Sequence, residues 1–191
     1  LIVFLVFVFG VFFLQQTVGQ SRNDLKNVEA ITFYGVDFSL AKIYGSEDTL
    51  EKLQNAFVGI NYLFEAEPEK FNLSKALEIK QVELFNFQVK EKVNEINEDF
   101  LFTKENRYFV TDNEIDNVVR NLKKEGDSQY GAVIVTGLLN KIANQGTFTY
   151  VVFEQNTNKV IFQQELTGKP RGFGLRNFWA GALYDTMKKI K

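Results

Sequence analysis

Apolar residues recur along the chain in two spacings, alternation and helical steps, and these spacings predict most of the elements. Alternation over residues 31–36 predicts a first strand. Ser46 stands before two acidic residues, which is typical of an N-cap, so the first helix is expected to begin there. Pro68 is expected to end this helix. Its apolar stripe consists of Leu50, Leu53, Phe57, Ile60 and Phe64.

The middle of the chain has weaker patterns. Residues 80–88 are predicted to form a strand, and residues 89–97 either continue it or turn helical through Val89, Val93 and Ile96. Residues 111–114 have the sequence of a capping box, in which Thr111 and Glu114 each satisfy a backbone N–H of the other residue. A second helix is therefore predicted to follow. The continuous apolar run at residues 132–135 predicts a central strand that is covered on both faces.

The C-terminal third of the chain gives the clearest patterns. Two β-rich runs, residues 147–154 and 159–166, are separated by four polar residues and predict an antiparallel hairpin. From Leu175 to Ile190 the apolar positions recur at steps of three and one, and this stripe contains Trp179 and Met187. We expect the resulting helix to pack on the sheet. The predicted fold class is α/β (α+β), with a mixed β-sheet of about five strands and about three helices packed on it.

The first residues of the chain have a different composition. Residues 1–14 are apolar apart from one glycine, and such a run forms about 21 Å of helix, which is shorter than a membrane core. Small residues at Thr17 and Gly19 fit a signal peptidase site. We predict a signal peptide at residues 1–19, a linker at 20–29 and one α/β domain at 30–191. An uncleaved anchor and a buried strand are the alternatives for the apolar run.

Composition excludes several classes of function. The net charge of -2 offers no field that would recruit nucleic acid, so no nucleic-acid partner is predicted. The sequence has no His and no Cys, which removes imidazole bases, thiol nucleophiles, disulfides and acylation of a lipoprotein cysteine. No catalytic residue, metal site or cofactor is predicted. A stable membrane span after signal cleavage is not expected, and the predicted location is the periplasm or the exterior.

One segment, which we call the docking loop (residues 168–177), joins the last predicted strand to the last helix. Its cations and closely spaced glycines lie at a predicted helix start, where backbone N–H groups favour anions. A phosphate or carboxylate site is a hypothesis here, and solvated cations around a tight turn are the alternative. The candidate residues are Lys169, Arg171, Gly172, Gly174, Arg176 and Asn177. Asp37, at the end of the first predicted strand, is a further candidate, or it simply caps the turn.

Two motifs resemble a family of uncharacterised exported Bacteroidetes proteins. They are residues 33–39 (FYGVDFS) and residues 172–181 (GFGLRNFWAG), and Leu175 and Phe178 depart from the family's pattern at positions where it has an aromatic residue and a Tyr. The resemblance implies export and brings no catalytic residues with it. The strand order is also similar to that of the amino-terminal domain of TolB and related envelope-assembly proteins, which implies an envelope binding or assembly role by analogy.

The leading hypothesis is therefore a non-enzymatic periplasmic or envelope protein that binds a partner, through its sheet edge or through the docking loop. The alternatives are a hydrolase that uses Asp or Glu carboxylates and a small-ligand carrier with a Phe-lined pocket. Geometry distinguishes them. Two carboxylates about 5 to 10 Å apart favour the hydrolase, a closed apolar cavity of at least about 300 Å³ favours the carrier, and a flat exposed apolar patch favours partner binding.

Overall fold

The structure is a computed structural model that describes residues 22–190, apart from the side chains of Arg22 and Asp24. The predicted signal peptide lies outside these residues. The described part of the predicted linker is packed rather than extended, because residues 22–25 form a turn of 3₁₀ helix and the side chains of Leu25 and Val28 are buried in the core.

The mixed α/β class is confirmed, with a sheet of seven strands that occupy five positions across its width. Strands β1 and β2 lie end to end along the same side of β5, and they pair on their outer side with β3 and β4 respectively, all in parallel orientation. The predicted hairpin is confirmed, since β6 pairs antiparallel with β5 and β7. The strands are β1 Ala30–Asp37, β2 Lys42–Tyr44, β3 Gln81–Leu84, β4 Phe102–Thr103, β5 Tyr130–Asn140, β6 Gln145–Glu154 and β7 Val160–Gly168.

Helices cover both faces of the sheet. On one face the core contains Ala132 and Ile134 of β5 together with residues of the first and last helices, and on the other face it contains Val133 and Val135 with residues of the fifth helix. The predicted central strand, covered on both faces, is thereby confirmed. In residues 22–190 the α-helices are α1 Leu50–Ala66, α2 Leu73–Leu77, α3 Phe87–Lys92, α4 Glu98–Leu101, α5 Asp112–Arg120 and α6 Leu175–Met187.

Helix α6 docks on the sheet as its stripe predicts. Trp179 is 1% exposed, and the Tyr150 hydroxyl of β6 lies 2.7 Å from the Thr186 hydroxyl of α6. Burial raises the pKa of Tyr150, so this phenol stays neutral and hydrogen-bonded. The helix ends at Met187 rather than at the predicted Ile190, although the Ile190 side chain is still buried.

Two local predictions were wrong. The first helix is capped by Thr49, whose hydroxyl accepts from the Lys52 N–H, because Ser46 instead hydrogen-bonds within a turn to Asp48. The predicted strand at 80–88 ends at Leu84. Helix α3 begins three residues later, at Phe87, so the helical alternative for residues 89–97 holds as far as Lys92 and a 3₁₀ turn follows it.

A bulge interrupts β1, and a side chain from α1 completes its hydrogen bonding. The register with β5 shifts between Phe33 and Val36, where Gly35 has a φ of 92°. The buried Asn61 carboxamide accepts from the Val36 N–H at 2.8 Å and donates to the Val36 carbonyl at 2.9 Å. One side chain thus replaces a neighbouring strand at this point.

We expect Asn61→Ala to lower the free energy of unfolding by about 3 kcal/mol, because both polar groups of Val36 lose their partner in a buried place. Urea denaturation followed by circular dichroism measures this. Asn55→Ala is the matched control, since Asn55 is an exposed residue of the same helix, and it should change stability by less than about 0.5 kcal/mol. Equal effects of the two substitutions would contradict the role of Asn61.

Candidate functional site

The docking loop is clamped to α6 by close backbone contacts. A Cβ at Gly168 would lie 1.9 Å from the Ala182 carbonyl oxygen, and a Cβ at Gly181 would lie 2.1 Å from the Arg171 carbonyl oxygen. Both positions therefore require glycine. The Lys169 N–H also donates to the Asp185 carboxylate at 2.9 Å. The loop is consequently held to the helix at several points along its length.

The Asp185 carboxylate is ionised under neutral conditions. Its partial burial would raise its pKa, but hydrogen bonds from Lys189 and from the Lys169 N–H, with the charge of Arg171, outweigh burial and leave the pKa below its usual value. The charged acceptor strengthens the contact that anchors the start of the docking loop.

The tip of the docking loop presents an aromatic side chain to solvent. Gly172 and Gly174 have φ values of 118° and 80°, which a residue with a side chain adopts only with strain. Phe173 lies between them and is 96% exposed. The two glycines therefore shape a turn that directs the Phe173 side chain into solvent, away from the core.

The structure brings together four of the six predicted anion-site residues. Arg171, Gly172, Arg176 and Asn177 line a cavity of about 380 Å³, whereas Lys169 and Gly174 do not line it. The Arg176 guanidinium donates to the Asn177 carboxamide at 3.0 Å. Glu67 and Asp185 line the same cavity, so its charge is mixed. Anion binding here stays a prediction.

We expect Gly181→Ala to lower the free energy of unfolding by about 2 kcal/mol, because the new methyl group meets the Arg171 backbone, which cannot move away cheaply. Thermal and urea unfolding measure the loss. Gly59→Ala in α1 is the matched control, since its Cβ meets only the flexible Arg176 side chain at 2.8 Å. That control should be neutral or stabilise by about 1 kcal/mol. A stabilising Gly181→Ala would contradict the clamp.

Asp37, the other predicted site residue, is 0% exposed at the end of β1. Its Oδ1 accepts from the Ser39 N–H at 2.7 Å, so it does cap the turn that follows the strand. Its Oδ2 has no hydrogen-bond partner among the described residues, and the nearest cation is the Lys92 ammonium at 3.6 Å. The turn therefore uses only one of the two carboxylate oxygens of Asp37.

A cavity of about 630 Å³ lies beside Asp37, and we call it the junction pocket. It forms where β1 gives way to β2, and residues 92–100 and α5 complete its wall. Sequence patterns missed it because its lining comes from three segments that are distant in the chain. The lining residues are Ser39, Leu40, Lys92, Glu95, Ile96, Asn97, Phe100, Glu114, Asn117, Val118 and Asn121. One Phe contributes to this lining, whereas Phe33, Phe64 and Phe71 line a second cavity of about 390 Å³. The carrier with a Phe-lined pocket stays an alternative.

The predicted capping box is confirmed, and it engages one carboxylate of the junction pocket. Glu114 accepts from the Thr111 N–H at 2.8 Å and from the Thr111 hydroxyl, and the Tyr108 hydroxyl lies 3.4 Å away. The Thr111 N–H is the main reason that the pKa of Glu114 is lowered from 4.5. Burial, and after it the same carboxylate, raise the pKa of Tyr108 to about 12. Glu114 is therefore held ionised, which does not suit a general acid.

The lowered pKa of Glu114 predicts a pH-dependent contribution to stability. An acid whose pKa is lower in the folded protein than in the unfolded chain stabilises the fold at pH values above its unfolded-state pKa. This stabilisation is lost as the pH falls through the folded-state pKa. We expect Glu114→Ala to be less stable than the original protein at pH 7, with the difference shrinking towards pH 3. Urea denaturation across this range measures it. Asp116→Ala, in the same helix, should show a smaller and flatter difference, and equal pH profiles would contradict the assignment.

The described residues form a mixed α/β fold with an exposed aromatic side chain at the tip of the docking loop and with the open, partly polar junction pocket. In the described residues no helix is both long and apolar enough to cross a membrane. Residues 22–190 also contain no cluster of acidic side chains that could hold a metal ion.

No family model and no curated protein matches the chain. Among solved structures, the C-terminal domain of LpoB from Salmonella enterica aligns over 81% of this chain and 87% of its own, at 11% identity and a TM-score of 0.32. The hypothetical protein CT253 from Chlamydia trachomatis aligns over 84% and 90%, at 11% identity and a TM-score of 0.36. Both TM-scores are low, so neither likeness supports a conclusion about function. The resemblance to the Bacteroidetes family stays a prediction.

Proposed function

We propose that this chain is an exported, non-catalytic binding protein of the periplasm or cell envelope, and that it docks onto a partner protein through the docking loop. The observation that carries the proposal is the exposure of Phe173, which is 96% accessible at the tip of a clamped loop. An aromatic side chain in water has not gained the favourable free energy of burial. A partner whose pocket buries the ring provides it.

The clamp supports a binding role because it holds the backbone around Phe173 before any partner arrives. The contacts at Gly168, Gly181 and Asp185 restrict the loop in the free protein. A preorganised loop loses less conformational entropy on binding than a mobile one does. Exposed aromatic residues on such loops are typical of the few positions that dominate the affinity of protein interfaces.

The charges around Phe173 indicate the chemistry of the partner. Arg171, Arg176 and Lys188 lie at one cavity beside the tip, and none of the three forms a salt bridge within residues 22–190. A partner with an apolar pocket and an acidic rim would match both the ring and the cations. Such pairing would make association faster at low ionic strength.

The β7 edge of the sheet is less favoured as the docking surface. The outer strand β7 contacts the 3₁₀ helix Arg22–Leu25, and the Thr167 carbonyl accepts a hydrogen bond from the Lys189 side chain. These contacts occupy part of the edge that an added strand would need. Export rests on the predicted signal peptide, and the absence of His and Cys from the sequence supports a non-catalytic role.

The proposal predicts a cross-link from the tip of the docking loop. A photoreactive Phe analogue placed at position 173 in the native cells should yield one protein adduct, identified by mass spectrometry. The matched control carries the analogue at Phe109, which is 69% exposed and lies elsewhere on the surface. That control should not yield the same adduct. A lipid adduct, or the same protein adduct from both positions, would contradict the proposal.

With the partner in hand, Phe173→Ala should weaken binding by about thirtyfold or more, as expected for a central aromatic contact. Isothermal titration calorimetry measures the change, and the melting temperature should stay within a degree or two because the side chain is exposed. Phe109→Ala should bind like the original protein. Unchanged affinity of Phe173→Ala would remove the loop from the interface.

A further inference from the structure

We infer that the junction pocket is a binding site for a small neutral saccharide. This site is separate from the docking loop, because it is lined by α5, which packs on the face of the sheet opposite to α6. Its volume of about 630 Å³ falls within the range of small-ligand sites and accommodates one or two sugar rings.

The pocket offers an apolar surface as well as polar groups. Leu40, Ile96 and Val118 contribute aliphatic surface, and the Phe100 ring is 42% exposed among them. The Lys42 ammonium lies 3.0 Å from the centroid of that ring, so a cation already occupies one of its faces. The rest of the ring is the kind of apolar platform on which the C–H face of a sugar packs.

The polar groups of the pocket that remain unpaired are mostly hydrogen-bond donors. The Asn97 carboxamide oxygen already accepts from the Asp99 N–H, and the Asn117 carboxamide oxygen already accepts from Arg120, each within 2.8 Å. Their NH₂ groups remain available. The Asn121 carboxamide has no hydrogen-bond partner within residues 22–190, and the Lys92 ammonium adds a charged donor at the same wall.

Glu95 supplies acceptors in the same pocket, and Asp37 lies behind Lys92. Charges of both signs line or adjoin the pocket, and this disfavours a ligand with a net charge. An anion would face the Glu95 and Glu114 carboxylates, while a cation would face Lys92 and, at the Phe100 ring, Lys42. Hydroxyl groups both donate and accept, so a neutral polyhydroxyl ligand satisfies the donors and the carboxylate together.

The buried Asp37 does not line the pocket, but it holds one of the lining side chains in place. It is 0% exposed, its Oδ2 has no hydrogen-bond partner among the described residues, and its nearest cation, Lys92, lines the pocket. The carboxylate and the ammonium form an ion pair at 3.6 Å, in which the carboxylate is removed from water. The Asp37 carboxylate sets the position of the Lys92 ammonium. The ammonium can then donate a hydrogen bond to a ligand oxygen.

The test uses the protein with ¹³C-labelled Ile and Val methyl groups, so that Ile96 and Val118 report from inside the pocket. Maltose and N-acetylglucosamine are the saccharide probes, sodium benzoate is the anionic probe, and putrescine is the cationic probe. We expect saturable methyl shifts with at least one saccharide in the millimolar range and none with the other two probes. Phe173→Ala should bind the saccharide normally, which separates this inference from the proposed function.

Two substitutions and two matched controls locate the binding. Asn121→Ala and Phe100→Ala should each weaken saccharide binding by about fivefold or more. Asn106→Ala and Phe109→Ala, which change exposed residues outside the pocket lining, should leave it unchanged. No saturable shift with either saccharide would overturn the inference. So would equal shifts with benzoate or putrescine, or equal losses in the controls.

Discussion

The pairing of β5 is the constraint on which the rest of the structure depends. This strand is buried on both faces, so its backbone N–H and C=O groups must find partners within the sheet. On one side β6 supplies them almost continuously. On the other side they come from two strands, β1 and β2, which lie in line and are separated by residues 38–41. The junction pocket lies beside this interruption, and its lining residue Lys92 pairs with the buried Asp37.

The second candidate site depends on the same sheet from its other face. Helix α6 packs there through Trp179, and the chain leaves β7 so close to α6 that Gly168 and Gly181 leave no room for a side chain. The close approach leaves the tip of the docking loop on the surface with Phe173 pointing outwards. Rigid support and an exposed apolar tip arise from one packing arrangement.

The two candidate sites present different chemical groups to solvent. The docking loop combines an exposed ring with nearby cations that form no salt bridge within residues 22–190, which suits a large partner that covers both. The junction pocket combines an open cavity, unpaired carboxamide donors and one free carboxylate, which suits a small neutral ligand. The carboxylate that the capping box engages is held ionised by its hydrogen bonds. We therefore expect the docking loop to use apolar burial and charge, and the junction pocket to use shape and hydrogen bonding.

The sequence by itself determined the elements whose signals are local. Alternation located β1 and the β6–β7 hairpin, the Thr111 capping box located α5, and the Trp179 stripe located α6, because each pattern depends on neighbours within a few residues. Tertiary structure decided what distant segments build together. The Asn61 contact with β1, the clamp of the docking loop and the junction pocket all join parts of the chain that no local pattern relates, so only packing could bring them together.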